Sequence, residues 1–338
     1  MNIAVVGATG AVGRAILQAI EDLELAVGSV RLLASERSAG AEVELFGDPR
    51  RVEALREGAF QGRDLAFFAA GAGVSRAWVD KARAAGCLVV DLSPAFRADP
   101  GVPLVLPEVN PEALSGVAAR GLVAMPGPAA VQLALVLAPL HRAAGVDRAV
   151  VTTLESVSGA GQKGVEELEA EMRAMLAFQE PPPATALPHR IAFNVVPQVG
   201  PAGEGGATEG EESLARDVRR LLGSSVRIAA TAVRVPIFYG HTQAVSVRTR
   251  RKLSAAEARE LLRSAPGVKV LDAPAEGVYP MPMLAVNDDA VLAGRIREDA
   301  TQENGLDLVI AGDNLRRGGA TTAVQIAKLL AERHLALR

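Results

Sequence analysis

The chain has 338 residues, 49% of them hydrophobic and 22% charged, a globular composition that excludes a disordered polymer. Thirty-six basic and thirty-nine acidic side chains leave a net charge of −3, and aromatic residues are only 3%, which argues against nucleic acid or an anionic membrane as partner. One cysteine, Cys87, excludes an internal disulfide framework and a cysteine-rich metal site.

The length suggests two domains. Ile3-Ala4-Val5-Val6 is β-branched and short enough for a buried strand. It runs into Gly7-Ala8-Thr9-Gly10-Ala11-Val12-Gly13, after which Val12, Ile16, Leu17, Ile20 and Leu23 recur at helical spacing. Residues 30–34, 65–69 and 87–91 read as further strands, with a helix over 75–85. Strands alternating with helices predict a doubly wound parallel sheet, a Rossmann-type α/β domain. A second, α+β unit begins at Pro128. It opens with an apolar helix over 129–140, a β-rich stretch over 148–156 and an acidic amphipathic helix over 165–178. Residues 180–183 form a stiff proline-rich loop, and the Gly- and Glu-rich stretch 200–210 reads as a mobile one. Strands are expected at 226–236, 243–249, 290–297 and 306–311, helices at 211–222 and 254–264. The last helix, over 321–338, returns to the first domain. The expected division is thus 1–127 completed by 315–338, against 128–314. No apolar run spans a membrane and no basic leader precedes an apolar core, so the expected compartment is the cytoplasm.

Glycines spaced by three between a strand and a helix suit a dinucleotide. Gly7 permits the tight turn, Gly10 lets backbone approach a pyrophosphate, and Gly13 lets the helix pack on the sheet, while the helix N-terminus offers N–H groups. Thr9, Ala11 and Val12 share that turn. After the second strand come Glu36, Arg37 and Ser38. A carboxylate here would hold a ribose 2′-hydroxyl, and arginine a 2′-phosphate. Arg37 with Ser38 favours NADP, and Glu36 keeps NAD possible.

With these residues go Asp91-Leu92-Ser93-Pro94-Ala95-Phe96-Arg97, Pro107-Glu108-Val109-Asn110 and Ser156-Val157-Ser158-Gly159-Ala160-Gly161. Further on come Arg234-Val235-Pro236-Ile237-Phe238-Tyr239-Gly240-His241, Gly294-Arg295-Ile296-Arg297 and Asp313-Asn314-Leu315-Arg316-Arg317-Gly318. In this ordered set, over nearly its whole length, the chain resembles the aspartate-β-semialdehyde dehydrogenase family. The resemblance implies NADP-dependent reductive dephosphorylation of aspartyl phosphate through a cysteine thioacyl intermediate, with a histidine as acid/base. It matches His241 to that acid/base, Arg234 to a carboxylate-binding arginine, Arg97 to a phosphate-binding arginine, and Gly71 and Gly159 to cofactor-contacting glycines. It also implies a homodimer formed through the open sheet of the second domain, and a small anionic ligand.

The family pattern breaks at its nucleophile. The family's Asn-Pro-Asn-Cys aligns with Met125-Pro126-Gly127-Pro128, so the thiol position is Pro128. Proline has neither a nucleophile nor an N–H, yet it starts a helix comfortably. The family's glutamine becomes Glu155, which repels an anionic substrate unless it is paired. A substrate-binding lysine becomes Ser213, while Glu211 keeps a matching acidic position. Cys87, at the start of its strand, should lie at the sheet edge opposite the ligand and be inert. Such a chain resembles a usg-type paralogue: an NADP-binding dimer without the usual activity, able to pair with a true semialdehyde dehydrogenase. The alternative is an active NAD(P)-dependent oxidoreductase on an aldehyde or oxo group, with His241 as acid/base and no covalent step. No metal is expected.

Overall fold

A computed structural model describes residues 1–335, without the side chains of Ala118, Ala119, His334 and Leu335. The chain forms two compact units, Met1–Gly127 joined by the chain from Gly318 onward, and Pro128–Arg317.

The first unit carries β1 (Asn2–Val6), α1 (Ala11–Asp22) and β2 (Ser29–Ala34), then a hairpin of β3 (Glu42–Leu45) and β4 (Asp48–Arg51). It continues through β5 (Glu53–Ala54), β6 (Leu65–Phe68), α2 (Ala72–Ala84), β7 (Leu88–Asp91), α3 (Val117–Arg120) and β8 (Leu122–Ala124). Six of these strands make one sheet in the order β5-β2-β1-β6-β7-β8, paired in parallel throughout. The chain winds from β1 outward to β2, then returns to place β6 on the other flank of β1. The order reverses there, which in doubly wound sheets opens a crevice beyond the strands' carboxyl ends. Ile3 and Val5 of β1, Ile16, Leu17 and Ile20 of α1 and Phe67 of β6 share one core with Val324, Ala327 and Leu330. The latter three lie on the last α-helix (Thr321–Leu330), so that helix does return to the first unit.

The second unit contains α4 (Pro128–Ala144), β9 (Val146–Glu155), α5 (Gln162–Leu176), α6 (Glu209–Leu222), β10 (Arg227–Arg234) and β11 (His241–Thr249). After them come α7 (Ala255–Arg263), β12 (Val268–Val270), the single turn α8 (Pro282–Ala285), β13 (Val291–Glu298) and β14 (Gly305–Gly312), before α9 (Thr321–Leu330) of the first unit. Its six strands run β10-β9-β11-β14-β13-β12, parallel at both flanks and antiparallel in the centre. On β11 the buried positions are His241, Gln243, Val245, Val247 and Thr249. That face meets α4, where Gln243 Nε2 donates to the Ala129 carbonyl at 2.9 Å. The alternate positions Thr242, Ala244, Ser246 and Arg248 are half-buried or exposed, as are Leu154 and Thr152 of β9. An apolar-in, open-out sheet is therefore present.

Several expectations shift in detail. The helices expected at 75–85 and 165–178 begin earlier, at Ala72 and Gln162, because each starts after a glycine in an unusual conformation (Gly71 φ +85°, Gly161 φ +80°). The stretch 200–210, expected to be mobile, folds into a turn closed by Gly203 N–H donating to Ala207 O, and ends in a capping box. Thr208 accepts from Glu211 N–H at 3.4 Å and its own N–H donates to the Glu211 carboxylate at 2.7 Å, starting α6 two residues before the expected position. α9 stops at Leu330 and continues as a π-turn to Leu335; the last three residues of the expected helix lie outside the described residues. The β3–β4 hairpin, β5, β8 and β12 were not expected. They are two to four residues long, no longer than the shortest run from which a strand is read.

The proline-rich segment is fastened to α5 by carboxylates. Glu167 accepts from the backbone N–H groups of Thr185, Ala186 and Leu187, and Glu171 from those of Ile191 and Ala192. Burial alone would raise the Glu167 pKa, but these donors outweigh it and hold the group below its ordinary value. A folded-state pKa depressed below the unfolded one stabilises above the unfolded value and is lost as pH falls through the folded one. Unfolding in urea should therefore show Glu167→Gln less stable than the parent at pH 7, with the gap closing toward pH 3. A gap independent of pH would show that the carboxylate charge is not what fastens the strap.

Two glycines of the first turn separate packing from ligand approach. A Cβ at Gly13 would stand 2.1 Å from the Gly7 carbonyl oxygen, whereas one at Gly10 meets nothing nearer than that oxygen at 3.4 Å. Gly13→Ala should cost about 2–3 kcal/mol, as overpacking does. Gly10→Ala should stay within about 0.5 kcal/mol of the parent. Chemical denaturation of both variants measures the difference.

Candidate functional site

At the first turn, Gly7 has φ +88°, and a Cβ there would sit 2.7 Å from the Ala69 carbonyl oxygen. Gly7 and Gly13 are thus required by the protein's own backbone. Gly10 is not, and its bare backbone leaves room above the helix start. α1 and α2 both begin at glycines, Gly10 and Gly71, with no side-chain cap. Nothing lies within 4 Å of a Cβ built on Gly71. Uncapped N-termini following the adjacent strands β1 and β6 offer N–H groups to an anion at the point where the sheet order reverses. Thr9, Ala11 and Val12 line the same turn, where Arg14 also donates to the Thr9 carbonyl. The residues present fit a dinucleotide pyrophosphate.

At the end of β2, Glu36, Arg37 and Ser38 form one 3-10 turn. Glu36 is bound by Arg56 through two hydrogen bonds of 2.8 Å, and its pKa is lowered by that contact. Arg37 is exposed beside it and Ser38 is half-buried. Cys87 precedes β7, and Gly7 follows β1 in the same parallel sheet, so the thiol lies at the opposite edge from the glycine turn. It is buried, and that burial, with the nearby Asp64 charge, pushes its pKa up to about 12. Arg97, also in the first unit, donates to the Met125 carbonyl at 2.7 Å and the Leu92 carbonyl at 2.6 Å. Its visible work is to tie the segment after β7 to the segment after β8.

The second unit brings three candidates together. Glu155 ends β9, Arg234 ends β10, and the two are paired in register. His241 begins β11, which runs antiparallel to β9 with Thr242 opposite Leu154. Three adjacent strands therefore present these side chains at one end of one face. Arg234 Nη1 lies 3.6 Å from Glu155 Oε2 and His241 Nε2 3.8 Å from the same oxygen. Thr153 donates to the other Glu155 oxygen at 3.1 Å. Arg234 Nη1 also donates to the Ser156 carbonyl at 2.7 Å. His241 Nδ1 accepts the Ser156 backbone N–H at 3.2 Å, so in the neutral ring Nε2 carries the proton and faces the carboxylate. Burial lowers the His241 pKa; Glu155 opposes that and Arg234 adds to it. Burial also lowers Arg234, against the pull of Glu155.

Gly159 packs against this group. A Cβ there would stand 2.5 Å from Arg234 Nη1 and 3.5 Å from His241 Cε1. The resemblance assigned it to the cofactor; its visible constraint is the close approach of the guanidinium. Pro128 is the first residue of α4, next to Ala129, whose carbonyl accepts from Gln243, two residues beyond His241 on the same face. The start of α4 is thus on the His241 side of the sheet. Glu211 is bound to backbone. Besides its capping box, its Oε1 accepts the Ala232 N–H of β10 at 2.9 Å. Burial would raise its pKa, but these N–H donors lower it, and both oxygens serve the backbone. Ser213, which the resemblance matched to a family lysine, accepts from Arg216 at 3.0 Å.

Three residues of the site were not singled out from the sequence. Ser156, Ser158 and Asn314 form a buried network behind His241: Ser156 Oγ lies 2.9 Å from Ser158 Oγ, and Asn314 Nδ2 donates to Ser158 Oγ at 3.0 Å. Asn314 Oδ1 accepts the Gly240 N–H at 3.0 Å, fixing the backbone before His241. Both stretches stood among the family motifs, but small polar residues give no sign of their partner 156 positions away. Among the described residues no cluster of His, Cys, Asp or Glu could hold a metal, and no helix is long and apolar enough to cross a membrane.

Two family patterns match the chain: a semialdehyde dehydrogenase NAD binding domain over residues 2–117, and a semialdehyde dehydrogenase dimerisation domain over 137–317. An aspartate-semialdehyde dehydrogenase of Aquifex aeolicus is 42% identical over 99% of both chains, and one of Legionella pneumophila 40% over 98% of this chain and 95% of that one. The crystal structure of aspartate semialdehyde dehydrogenase II complexed with ASA from Vibrio cholerae has a TM-score of 0.95 at 36% identity, covering 98% of each chain. The enzyme of Candida albicans solved with NADP has a TM-score of 0.75 at 25% identity, covering 99% of each. A nucleotide-binding turn, the Glu155–Arg234–His241 group and relatives of this identity from end to end agree: the chain belongs to the aspartate-semialdehyde dehydrogenase family.

Proposed function

We propose that this family member, a paralogue of the usg type, binds NADP but does not perform thioacyl semialdehyde dehydrogenation. The observation that carries this is Pro128 at the head of α4, where the resemblance places the nucleophile. An imino acid supplies no electron pair for attack, and losing a covalent nucleophile costs on the order of 10⁶ in rate. Cys87 is no substitute: its thiol is buried, held protonated by a pKa of about 12, and sits in the other unit. Bound NADP would contribute hydride chemistry; the chain's own part is to hold its pyrophosphate over Gly7, Gly10 and Gly13. With Glu36 tied to Arg56, Arg37 and Ser38 are the groups left for a 2′-phosphate, which favours NADP over NAD.

The second reading, an oxidoreductase acting without a covalent step, rests on the retained proximity of His241 and Arg234 around Glu155. His241 would then exchange a proton with a carbonyl oxygen through Nε2. The protein is further proposed to be a cytoplasmic homodimer formed through the open sheet face. Pairing with a true semialdehyde dehydrogenase is the alternative assembly.

Purified protein given aspartate semialdehyde, phosphate and NADP should produce no NADPH above background, with Pro128→Cys assayed beside it. A parent rate within about a hundredfold of an ordinary family enzyme would refute the loss of activity. Pro128→Cys should also gain an iodoacetamide-reactive thiol that the parent lacks, because a helix N-terminus lowers a thiol pKa.

Calorimetry should show NADP binding more tightly than NAD, and Gly10→Ala should weaken NADP by at least about tenfold without unfolding the protein. Equal affinity for the two cofactors would remove the assignment to Arg37 and Ser38. Light scattering should give twice the chain mass; a monomer alone would end the dimer proposal.

A further inference from the structure

Arg234 is a buried cation whose charge is already matched inside the protein. It is 5% exposed, and its Nε–H is buried with no hydrogen-bond partner. Beside it His241, 2% exposed, holds its second donor, Nε2–H, toward the same carboxylate. Glu155 is the most accessible of the three and lies 3.6 Å from the guanidinium. With His241 neutral, the cluster carries one positive and one negative charge and sums to zero. A carboxylate entering it would find donors on Arg234 and His241, but at the cost of lying against the Glu155 anion. An ammonium would suit Glu155 and be repelled by Arg234. At the low effective dielectric of a buried site, either repulsion is large compared with a hydrogen bond. A neutral group that both donates and accepts meets neither penalty.

We infer that Glu155 is the resident counter-ion of Arg234 and sets the ligand specificity of this site, which accepts a neutral carboxamide in place of the anion the sequence suggested. In that arrangement the amide N–H donates to the Glu155 carboxylate. The amide carbonyl accepts from Arg234 or His241. Ser156 fixes both neighbours, through its carbonyl to Arg234 and its N–H to His241. The Thr153 hydroxyl holds Glu155 on its other oxygen. The remaining charge felt at His241 is Asp313, whose oxygens accept the N–H groups of Asn287, Leu315 and Arg316. This specificity rests on the reading that the site still receives a ligand, and is independent of whether the protein turns anything over.

The test uses the full chain labelled with ¹⁵N-histidine and two probes that differ in one group, propionamide and propionate. Propionamide should shift the His241 ring signals of the parent and bind at least about tenfold more tightly than propionate. Glu155→Gln leaves Arg234 unmatched at nearly constant volume, and should reverse that order by at least tenfold. Its His241 should also titrate at lower pH than in the parent, because the neighbouring carboxylate no longer supports the imidazolium. Glu155→Asp, which withdraws the carboxylate by one methylene, should fall between the two and stands in should Glu155→Gln fail to fold. Propionate binding the parent as tightly as propionamide would overturn the inference. So would an unchanged ratio in Glu155→Gln, or silence of both probes in both proteins. Because these are equilibrium readouts, catalytic turnover in the earlier assay would sink the loss of activity and leave this result standing.

Discussion

Arg234 is a permanent cation with 5% of its surface exposed, and the geometry of the second unit's site follows from meeting its demands. A buried guanidinium must be given both hydrogen-bond acceptors and a counter-charge, or it costs several kcal/mol. The Ser156 carbonyl supplies an acceptor and Glu155 the charge. Gly159 supplies the space, since any side chain there would displace Nη1. His241 is then locked to the N–H of the same Ser156. One residue of the backbone thus sets both donors, and the network of Ser156, Ser158 and Asn314 holds that residue still.

The sheet makes this possible. Arg234 and Glu155 are neighbours because β10 and β9 run parallel in register, and His241 joins them because β11 returns antiparallel beside β9. Mixed pairing brings two strand ends and one strand start to the same edge. The alternation that buries His241, Gln243 and Val245 turns Thr242, Ala244 and Ser246 to the open face. The two faces differ: one carries the α4 start and the polar site, the other turns half-buried and exposed positions outward. The Pro128 position shows the same economy. Proline suits the first residue of α4 because its missing N–H needs no partner there, so the helix start is kept with an imino acid in that place.

Much of this was legible in the residues. The glycine turn, the first parallel strands, the helices of the second unit and the inert position of Cys87 follow from apolar periodicity and from where ligands meet a parallel sheet. The long ordered motifs carried the family. Helix starts hidden behind Gly71 and Gly161 were not legible, since a glycine with positive φ is no side-chain cap. Neither were the short strands β3, β4, β5, β8 and β12, whose two to four residues are too few for a pattern to stand out from the surrounding sequence. The stretch 200–210 looked loose by composition, yet the Thr208–Glu211 capping box gives it an anchored end.

Residue identities at local spacing were enough to read the glycine turn, the family and the proline at position 128. What the charged residues do was settled by the fold. Glu211, whose acidic position matched the family's, spends both oxygens on backbone N–H groups of α6 and β10. Arg97 donates to two carbonyls. Glu155, which in isolation repels an anion, becomes the partner of Arg234, 79 positions along the chain. The physical reason is that a charge acts through whatever lies within a few ångströms of it, and that neighbourhood is assembled by strand pairing and not by order along the chain.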